Sequence, residues 1–353
     1  MDLDTVLNRP WSGWSKDDGP DTDVVLSSRI RLARNLEGVP FPVAMKGEHL
    51  TAVMAAAERV VESLNSGAGL GRYSLIAIKD LRQLDRAVLV EKHLMSPQHA
   101  SNEKYGALIL REDECVSIMV NEEDHFRIQT LSSGLQLPET LRLANVVDDA
   151  MDRVVRYAFS PQIGYLTCCP TNVGTGLRGS VMVHVPALAL TGQAGSVLSA
   201  VGKLGLVVRG LYGEGSEAAG NVFQISNQVS LGQTEGDIVA NLSGIARRII
   251  DQERDARARL INGIRMQLED RVFRAFGVMK NARIMSSAEA LRLWSDIRLG
   301  ICAGLIMGIP LAKLDELLVM SRPGYIQRTA GREMEPSERD ITRANMIRKL
   351  LEV

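Results

Sequence analysis

An acidic run with one histidine follows an apolar stretch in the first half of the chain. The stretch is Val116–Val120, and the run reads Asn121-Glu-Glu-Asp-His125-Phe-Arg127. Carboxylates placed directly after a buried strand lie at a sheet edge, where they can bind a cation or accept a proton. The alternative is a solvated acidic turn. The run alone does not decide between these two interpretations.

Arginines recur at positions typical of strands and glycine turns. Arg29 and Arg31 alternate within Ser27–Arg31, so both side chains point to one face of an extended segment. Three more arginines occur at similar positions. Arg127 ends the acidic run, Arg178 ends the glycine turn, and Arg209 precedes Gly210. Each arginine alone fits a surface role. Together they predict a phosphate clamp, because guanidinium forks match phosphate oxygens.

One glycine pattern is similar to a dinucleotide-binding turn but lacks its context. Gly174-Thr-Gly176-Leu-Arg-Gly179 fits G-x-G-x-x-G. Such a turn must open a helix, whereas the following residues 180–185 are rich in valine and indicate a strand. The sequence also contains no G-x-x-x-x-G-K-[ST], H-R-D or D-F-G motif, which excludes a P-loop enzyme or a protein kinase of the usual fold.

The elements that must position these residues mix helices and strands up to about residue 250. Helical spacing occurs at Glu48–Leu64, Pro138–Ala158 and Ser196–Leu206. Strands are predicted at Tyr73–Ile78, Ala87–Val90, Ala107–Leu110, Val116–Val120, Tyr165–Cys169, Val181–Val185 and Val222–Ile225. Because the strands cluster without regular βαβ alternation, we expect an α+β fold with a mainly antiparallel sheet flanked by helices.

Only helical patterns follow Thr234, which forms a capping signature with Asp237. Further helices fit Ala288–Ile306, Leu311–Met320 and Ser337–Leu351, and Pro323-Gly324 is interpreted as a break between them. We therefore expect a catalytic domain at residues 1–255 and an all-helical domain at residues 256–353.

The composition argues against several classes of protein. The 353 residues include 41 lysines and arginines against 42 aspartates and glutamates, so no global attraction to nucleic acid or membranes is indicated. The four cysteines form no C-x-x-C pair, which argues against a metal cluster or a disulfide framework. No apolar run of 18 residues and no signal peptide occur, so we expect a cytoplasmic protein.

The order and wording of these segments resemble the phosphagen (guanidino) kinase family. Ser28-Arg-Ile-Arg31-x-x-Arg34 is similar to the family's first arginine motif, and Asn121–Arg127 to its N-E-E-D-H-x-R. Cys169–Arg178 is similar to the family's C-P-[ST]-N-[LI]-G-T-x-x-R, and Arg209–Glu214 is similar to R-G-T-x-G-E. Ile225–Asn227 resembles D-I-S-N, and Leu231–Glu235 resembles L-G-x-T-E. Their common order across residues 27–235 makes the resemblance specific.

The resemblance implies transfer of a phosphoryl group from Mg-ATP to a guanidinium. Glu122 and Glu214 would hold the acceptor, and Cys169 would lie beside it as a thiolate tuned by arginines; the alternative for Cys169 is a small buried residue. Because the pKa of a guanidinium exceeds ~12, Glu122 would accept a proton as the N–P bond forms. The nucleotide would contact Ser27, Ser28, Arg29, Ile30, Arg31, His93, Arg127, Arg178, Gly179, Ser180, Val181, Met182, Arg209, Gly210, Leu211, Tyr212 and Gly213.

The sequence departs from the family's pattern in three ways. The first arginine motif begins near residue 27, so we expect the family's preceding helical domain to be missing, and a more open site suits an arginine carried by a protein. Met182 stands where the family's R-x-S-V-H has histidine, and Gly213–Glu217 departs from G-E-H-T-E. A kinase of free arginine or another small guanidine and a non-catalytic phospho-arginine-binding module remain alternatives.

A second arginine pair lies near the C-terminus. In Arg339-Asp-Ile-Thr-Arg343-Ala344 the arginines are four residues apart, hence on one helix face. They could bind a phosphate while Asp340 meets a guanidinium, which makes Arg339, Asp340, Arg343 and Ala344 a candidate phospho-arginine site. The alternative is an ordinary surface helix.

With the added helical part, this motif resembles the bacterial protein-arginine kinases of the family. That resemblance implies phosphorylation of arginines in substrate proteins, which marks them for a Clp chaperone-protease in the stress response. It also implies a zinc-binding activator protein (McsA-like), autophosphorylation, allosteric regulation and a homodimer formed through the C-terminal part.

Overall fold

The computed structural model describes residues 2–16, 18–210 and 219–352. The strands are β1 Val25–Arg34, β2 Tyr73–Ala77, β3 Ala107–Arg111, β4 Val116–Val120, β5 Phe126–Ser133, β6 Phe159–Ser160, β7 Gly164–Tyr165, β8 Leu177–His184, β9 Leu206–Gly210 and β10 Val222–Asn227. The α-helices are α1 Leu3–Asn8, α2 Gly47–Ser66, α3 Gln83–Glu91, α4 Pro97–Ala100, α5 Leu137–Asp152, α6 Pro186–Leu190, α7 Ala194–Lys203, α8 Glu235–Asn281, α9 Ser287–Cys302, α10 Leu311–Asp315, α11 Leu317–Met320, α12 Pro323–Ala330 and α13 Pro336–Leu351.

Eight strands form one antiparallel sheet in the order β2-β3-β4-β5-β1-β8-β10-β9. Helices α5 and α8 cover one face, where Thr130 donates to the carbonyl of Thr140 and Leu242 lies against Gly179. Ile30 and Val181 project to this face and are fully buried. The predicted α+β fold with a mainly antiparallel sheet is therefore confirmed.

The helical part begins on a long helix that is kinked at one residue. Helix α8 runs for 47 residues from its capping box at Thr234, with one non-helical residue at Ile264 (φ −137°, ψ 42°). Helices α9 and α13 pack against it, and α12 packs between α13 and α3. The predicted boundary at residue 255 falls inside this helix, so the two-domain division stays a prediction. Among the described helices, none is both long and apolar enough to cross a membrane.

Three predicted elements were wrong. Ala87–Val90 lies within α3, because a short apolar run does not distinguish a buried helix from a strand. The helix predicted to reach Leu206 ends at Lys203, and Leu206 begins β9 after Gly205, whose φ is +79°. The strand predicted at Tyr165–Cys169 is limited to Tyr165, the last residue of β7. Pro323-Gly324 does follow a break after α11, but it also begins α12, a helix that was not predicted, because proline suits the first helical turn.

Candidate active site

The five arginines of the predicted phosphate clamp lie on the sheet face that α5 and α8 leave uncovered. The strand pairs that place them are Arg31↔Arg178, Arg29↔Ser180, Ala33↔Arg127 and Ser27↔Met182↔Gln224↔Arg209. Paired residues project to the same face, and so do alternate residues of one strand. Side chains that the sequence spreads over residues 29–209 thus meet on one surface.

A cavity of about 180 Å³ opens among these arginines. Its lining includes Arg31, Arg127, Arg178 and Arg209 together with Glu123 and Asn172. Arg31 Nε is buried and has no hydrogen-bond partner among the described residues. Burial, followed by the charges of neighbouring arginines, lowers the pKa of Arg31 well below its usual value. Crowded cations with an unsatisfied buried donor are stabilised by a polyanion, so this cavity fits a triphosphate.

Glu122 forms an ion pair with Arg127, which lines the cavity. The Glu122 side chain is 3% exposed; its Oε1 accepts from Ser96 Oγ (2.8 Å), and its Oε2 lies 2.7 Å from Arg127 Nη1. Burial raises the pKa of Glu122, but Arg127 and the hydrogen bonds outweigh burial, so the pKa is below its ordinary value. Glu122 is thus a fixed, ionised carboxylate at neutral pH.

Glu123 faces the cavity more openly, although sequence reasoning gave it no role. Its side chain is 40% exposed and forms an ion pair with Arg127. The signal that could have identified it is its place beside Glu122 in the same motif. Two adjacent carboxylates therefore share one arginine at the cavity edge.

Asp124 and His125 hold the acidic loop in place. Both are fully buried. Asp124 Oδ1 accepts from Asn35 Nδ2 (2.7 Å) and from the backbone N–H of Cys168 (2.8 Å), while His125 accepts from the backbone N–H of Leu36 (2.9 Å). These bonds tie the glutamate loop to β1 and to the cysteine segment. We assign both residues to positioning rather than to contact with substrate.

Cys169 is connected to the arginine cavity through Thr171 and Arg178. It is half-buried, and its Sγ is 3.0 Å from Thr171 Oγ1, which is 3.5 Å from Arg178 Nη2. Glu214, the third predicted catalytic residue, lies outside the described residues. So do three predicted nucleotide contacts, Leu211, Tyr212 and Gly213. Gly210 is the last residue of β9 and follows Arg209 of the cavity.

A second group of predicted nucleotide contacts surrounds Arg29. Ser27, His93, Ser180 and Met182 line a small space of about 10 Å³ that is also lined by Trp14 and Gln224. Arg29 donates to Ser180 Oγ (3.2 Å) and Gln224 Oε1 (2.8 Å). The Trp14 ring meets His93 edge-on, with 5.4 Å between centroids. Neither Trp14 nor Gln224 was singled out from the sequence, because neither belongs to a chemical motif.

Alternate residues of the same stretches turn away from this surface. The side chains of Ser28, Ile30 and Val181 project to the face packed against α5 and α8, as does the position of Gly179. Ser28 Oγ donates to the carbonyl of Gly134 (2.8 Å), which is a structural bond. The structure therefore does not bring these side chains to the cavity, although the sequence-based prediction included them.

The Arg339–Ala344 motif lies in α13, in the helical part. Arg343 is 1% exposed and donates to the carbonyls of Ser321 (2.6 Å) and Met285 (2.8 Å) and to Asp340. Arg339 donates to the carbonyl of Met334, and Ala344 is buried. The two arginines share a helix face as expected, but the Arg343 guanidinium is occupied by protein groups rather than directed to solvent.

Comparison with known proteins gives two family matches. The ATP:guanido phosphotransferase, C-terminal catalytic domain, matches residues 53–256, and the Protein-arginine kinase McsB C-terminal domain matches residues 265–353. A protein-arginine kinase from Symbiobacterium thermophilum is 53% identical over 351 residues, covering 99% of each chain. Another, from Geobacillus kaustophilus, is 49% identical over 353 residues, covering 100% of this chain and 97% of the relative.

Solved structures are similar in fold. The duplicated taurocyamine kinase from Schistosoma mansoni, with bound transition state analog components, matches with 25% identity and a TM-score of 0.59, covering 72% of this chain and 35% of that one. Lombricine kinase matches with 24% identity and a TM-score of 0.58, covering 73% of this chain and 71% of that one.

Proposed function

The chain belongs to the protein-arginine kinases, a family of ATP:guanido phosphotransferases, and from this premise we propose how its residues perform the reaction. The observation that carries the proposal is the cavity among the arginines, with Glu123 in its lining and Glu122 paired with Arg127 of that lining. In the proposed arrangement the triphosphate of ATP lies in the cavity. A protein arginine approaches from the side of the glutamates.

The proposed chemistry is an in-line transfer. A nitrogen of the acceptor guanidinium attacks the γ-phosphorus, the N–P bond forms, and the bond to the bridging oxygen breaks to release ADP. The proton lost by the nitrogen passes to Glu122, which is ionised and held by Ser96 and Arg127. The arginines neutralise charge on the phosphoryl oxygens, and Glu123 faces the acceptor guanidinium, a role that the resemblance also implies for Glu214.

Magnesium enters this scheme with the nucleotide. Among residues 2–16, 18–210 and 219–352, no group of three or more His, Cys, Asp or Glu side chains could hold a metal ion. Magnesium is commonly bound through substrate phosphates and water with few protein carboxylates. We therefore propose Mg-ATP as the donor, with magnesium supplying further charge neutralisation and the arginines holding the phosphates.

The test is incubation with Mg-ATP and casein, followed by mass spectrometry at neutral pH, which preserves acid-labile N–P bonds. Parallel samples contain free arginine in place of casein, or the Glu122→Gln variant. Phosphate on casein arginines that is lost in Glu122→Gln is the expected result. Phospho-arginine formed only from the free amino acid would instead assign a small-guanidine kinase. Undiminished transfer by Glu122→Gln would remove Glu122 from its role.

We also propose the finer features that the resemblance implies. Phosphorylated proteins would pass to a Clp chaperone-protease in the cytoplasmic stress response, and a zinc-binding activator protein would switch the kinase on. The helix carrying Arg339 and Asp340 would bind phospho-arginine as an allosteric site, with Arg343 supporting it from within. Asp340 is 31% exposed, which leaves it able to meet a guanidinium.

A homodimer formed through the helical part is a further proposal. It is supported by a groove of about 360 Å³ whose lining includes Phe273, Phe276, Leu305 and Met307. Phe273 is 50% exposed and Met307 is 82% exposed. Light scattering of the wild type and of Met307→Glu would test it: loss of a dimer in the variant supports this surface, and a dimer in both excludes it.

A further inference from the structure

A second, larger cavity adjoins the arginine cavity on the same sheet face. Its volume is about 490 Å³, and Arg31 lines both cavities. Arg29 and His93, two other predicted nucleotide contacts, also line it. Ser96, which donates to Glu122, lies in its wall. This space therefore connects the predicted nucleotide contacts with the proposed base.

One wall of this cavity comes from the helical part of the chain. Arg322 and Pro323, at the start of α12, are among the residues that line this cavity. Arg322 Nε donates to the carbonyl of Leu318 (3.1 Å), which fixes the base of its side chain. Burial lowers the pKa of Arg322 to about 10, so the guanidinium stays charged at neutral pH.

The start of α12 is held tightly against α3. Glu91 accepts from the backbone N–H groups of Gly324 (2.7 Å) and Tyr325 (2.8 Å). A Cβ on Gly324 would lie 2.8 Å from the Cβ of Ala87 and 2.9 Å from the Glu91 carboxylate, so only glycine allows this approach. From the other side, the carbonyl of Ser321 accepts from Arg343. The backbone that carries Arg322 is therefore fixed by both parts of the protein.

We propose that Arg322 is a sixth arginine of the nucleotide site: the phosphates of the bound nucleoside polyphosphate extend past Arg31 from the arginine cavity into the larger cavity, where Arg322 contacts them. The inference rests on the proposed function, because it takes Arg29, Arg31 and His93 to be nucleotide contacts. A positive side chain in the wall shared with them adds attraction for an anionic ligand. The helical part thereby contributes directly to the catalytic cavity.

The experiment is calorimetric titration of the full-length protein with Mg-ADP. Arg322→Gln should weaken binding roughly 10- to 100-fold, as expected for a lost hydrogen bond to a charged group. Arg322→Lys, which keeps the charge, should restore part of the affinity. Arg332→Gln is the matched control, because Arg332 is 57% exposed and pairs with Glu338 (2.8 Å) away from the cavity.

Measurements of Tm distinguish a phosphate contact by Arg322 from a purely structural role of Arg322 in α12. Gly324→Ala should loosen α12 without removing the guanidinium. Unchanged Mg-ADP affinity in Arg322→Gln would overturn the proposal. So would equal losses of affinity and of Tm in Arg322→Gln, Arg322→Lys and Gly324→Ala, because Arg322 would then only support α12. Wild type that binds Mg-ADP but does not phosphorylate casein would defeat the proposed function and leave this inference standing.

Discussion

Arg34 should contribute to stability, unlike Arg31 and Arg29 of the predicted phosphate clamp, which lie three and five residues before it on β1. It is 1% exposed, and its Nη2 lies 2.6 Å from Asp148 Oδ2 on α5. It also donates to the carbonyl of Thr175 (3.0 Å), and its guanidinium carbon lies 3.5 Å from the centre of the Tyr165 ring. We predict that Arg34→Met destabilises the protein strongly.

The magnitude follows from the charge that is left behind. Arg34→Met leaves Asp148 as a nearly buried carboxylate without its partner, and breaking a buried ion pair costs about 3–5 kcal/mol. At about 2–4 °C per kcal/mol for a domain of this size, the Tm should fall by roughly 6–20 °C. Adding Asp148→Leu removes the unpaired charge, so the double variant should regain much of the loss.

Scanning calorimetry of the single and double variants measures this effect, with Arg31→Met as the matched control. Arg31 lies among like charges, so its removal should leave the Tm unchanged or raise it while weakening nucleotide binding. Equal losses of Tm in Arg34→Met and Arg31→Met would refute the distinction between them. A double variant no more stable than Arg34→Met would refute the explanation by an unpaired charge.

Three further outcomes can be measured. Glu122→Gln should lower kcat about 10²–10⁴-fold, and Glu123→Gln should chiefly raise the KM for casein; the reverse pattern in steady-state kinetics would exchange their roles. Arg178→Gln should raise the KM for ATP roughly 10- to 100-fold, and an unchanged KM would exclude it from the nucleotide site. Burial raises the pKa of Glu91 from 4.5 to about 7, so the folded state binds more protons than the unfolded state in this range. Its contribution to the free energy of unfolding therefore falls as pH rises from 4.5 to about 7. In urea titrations, the free energy of unfolding of Glu91→Gln should rise relative to that of the wild type as the pH rises from 4.5 to about 7. A difference that does not change with pH would contradict the raised pKa of Glu91.

The sequence shows which types of residue could form the site, but not how the strands bring them together. The alternation in Ser27–Arg31 is local, so the shared face of Arg29 and Arg31 could be predicted and is confirmed by β1. The meeting of Arg31 with Arg127 and Arg178 depends on the register of strands distant in sequence. Local patterns do not contain that register, and the motif resemblance supplied it instead.

The spacing of residues along a helix does not predict which of them the rest of the protein buries. The four-residue interval between Arg339 and Arg343 correctly places them on one helix face, but spacing does not show which helices pack against that face. The segment from Ser321 to Arg322 covers Arg343, and no pattern in the sequence joins it to α3 or to the cavity. For the same reason Arg322 could not be predicted as a neighbour of Arg29.

Helix α8 has a practical consequence for dissecting the protein. From Glu235 to the break at Ile264 it extends roughly 43 Å at about 1.5 Å per residue, and it continues into the helical part without an intervening loop. The two family matches end and begin within α8, at residues 256 and 265, so no extended linker lies between them for a protease to cleave. Expressing either half alone would divide α8, whose apolar residues are buried in the intact chain. Truncation of the gene is therefore a poor way to assign functions to the two halves. Point substitutions in the intact chain are the cleaner instrument.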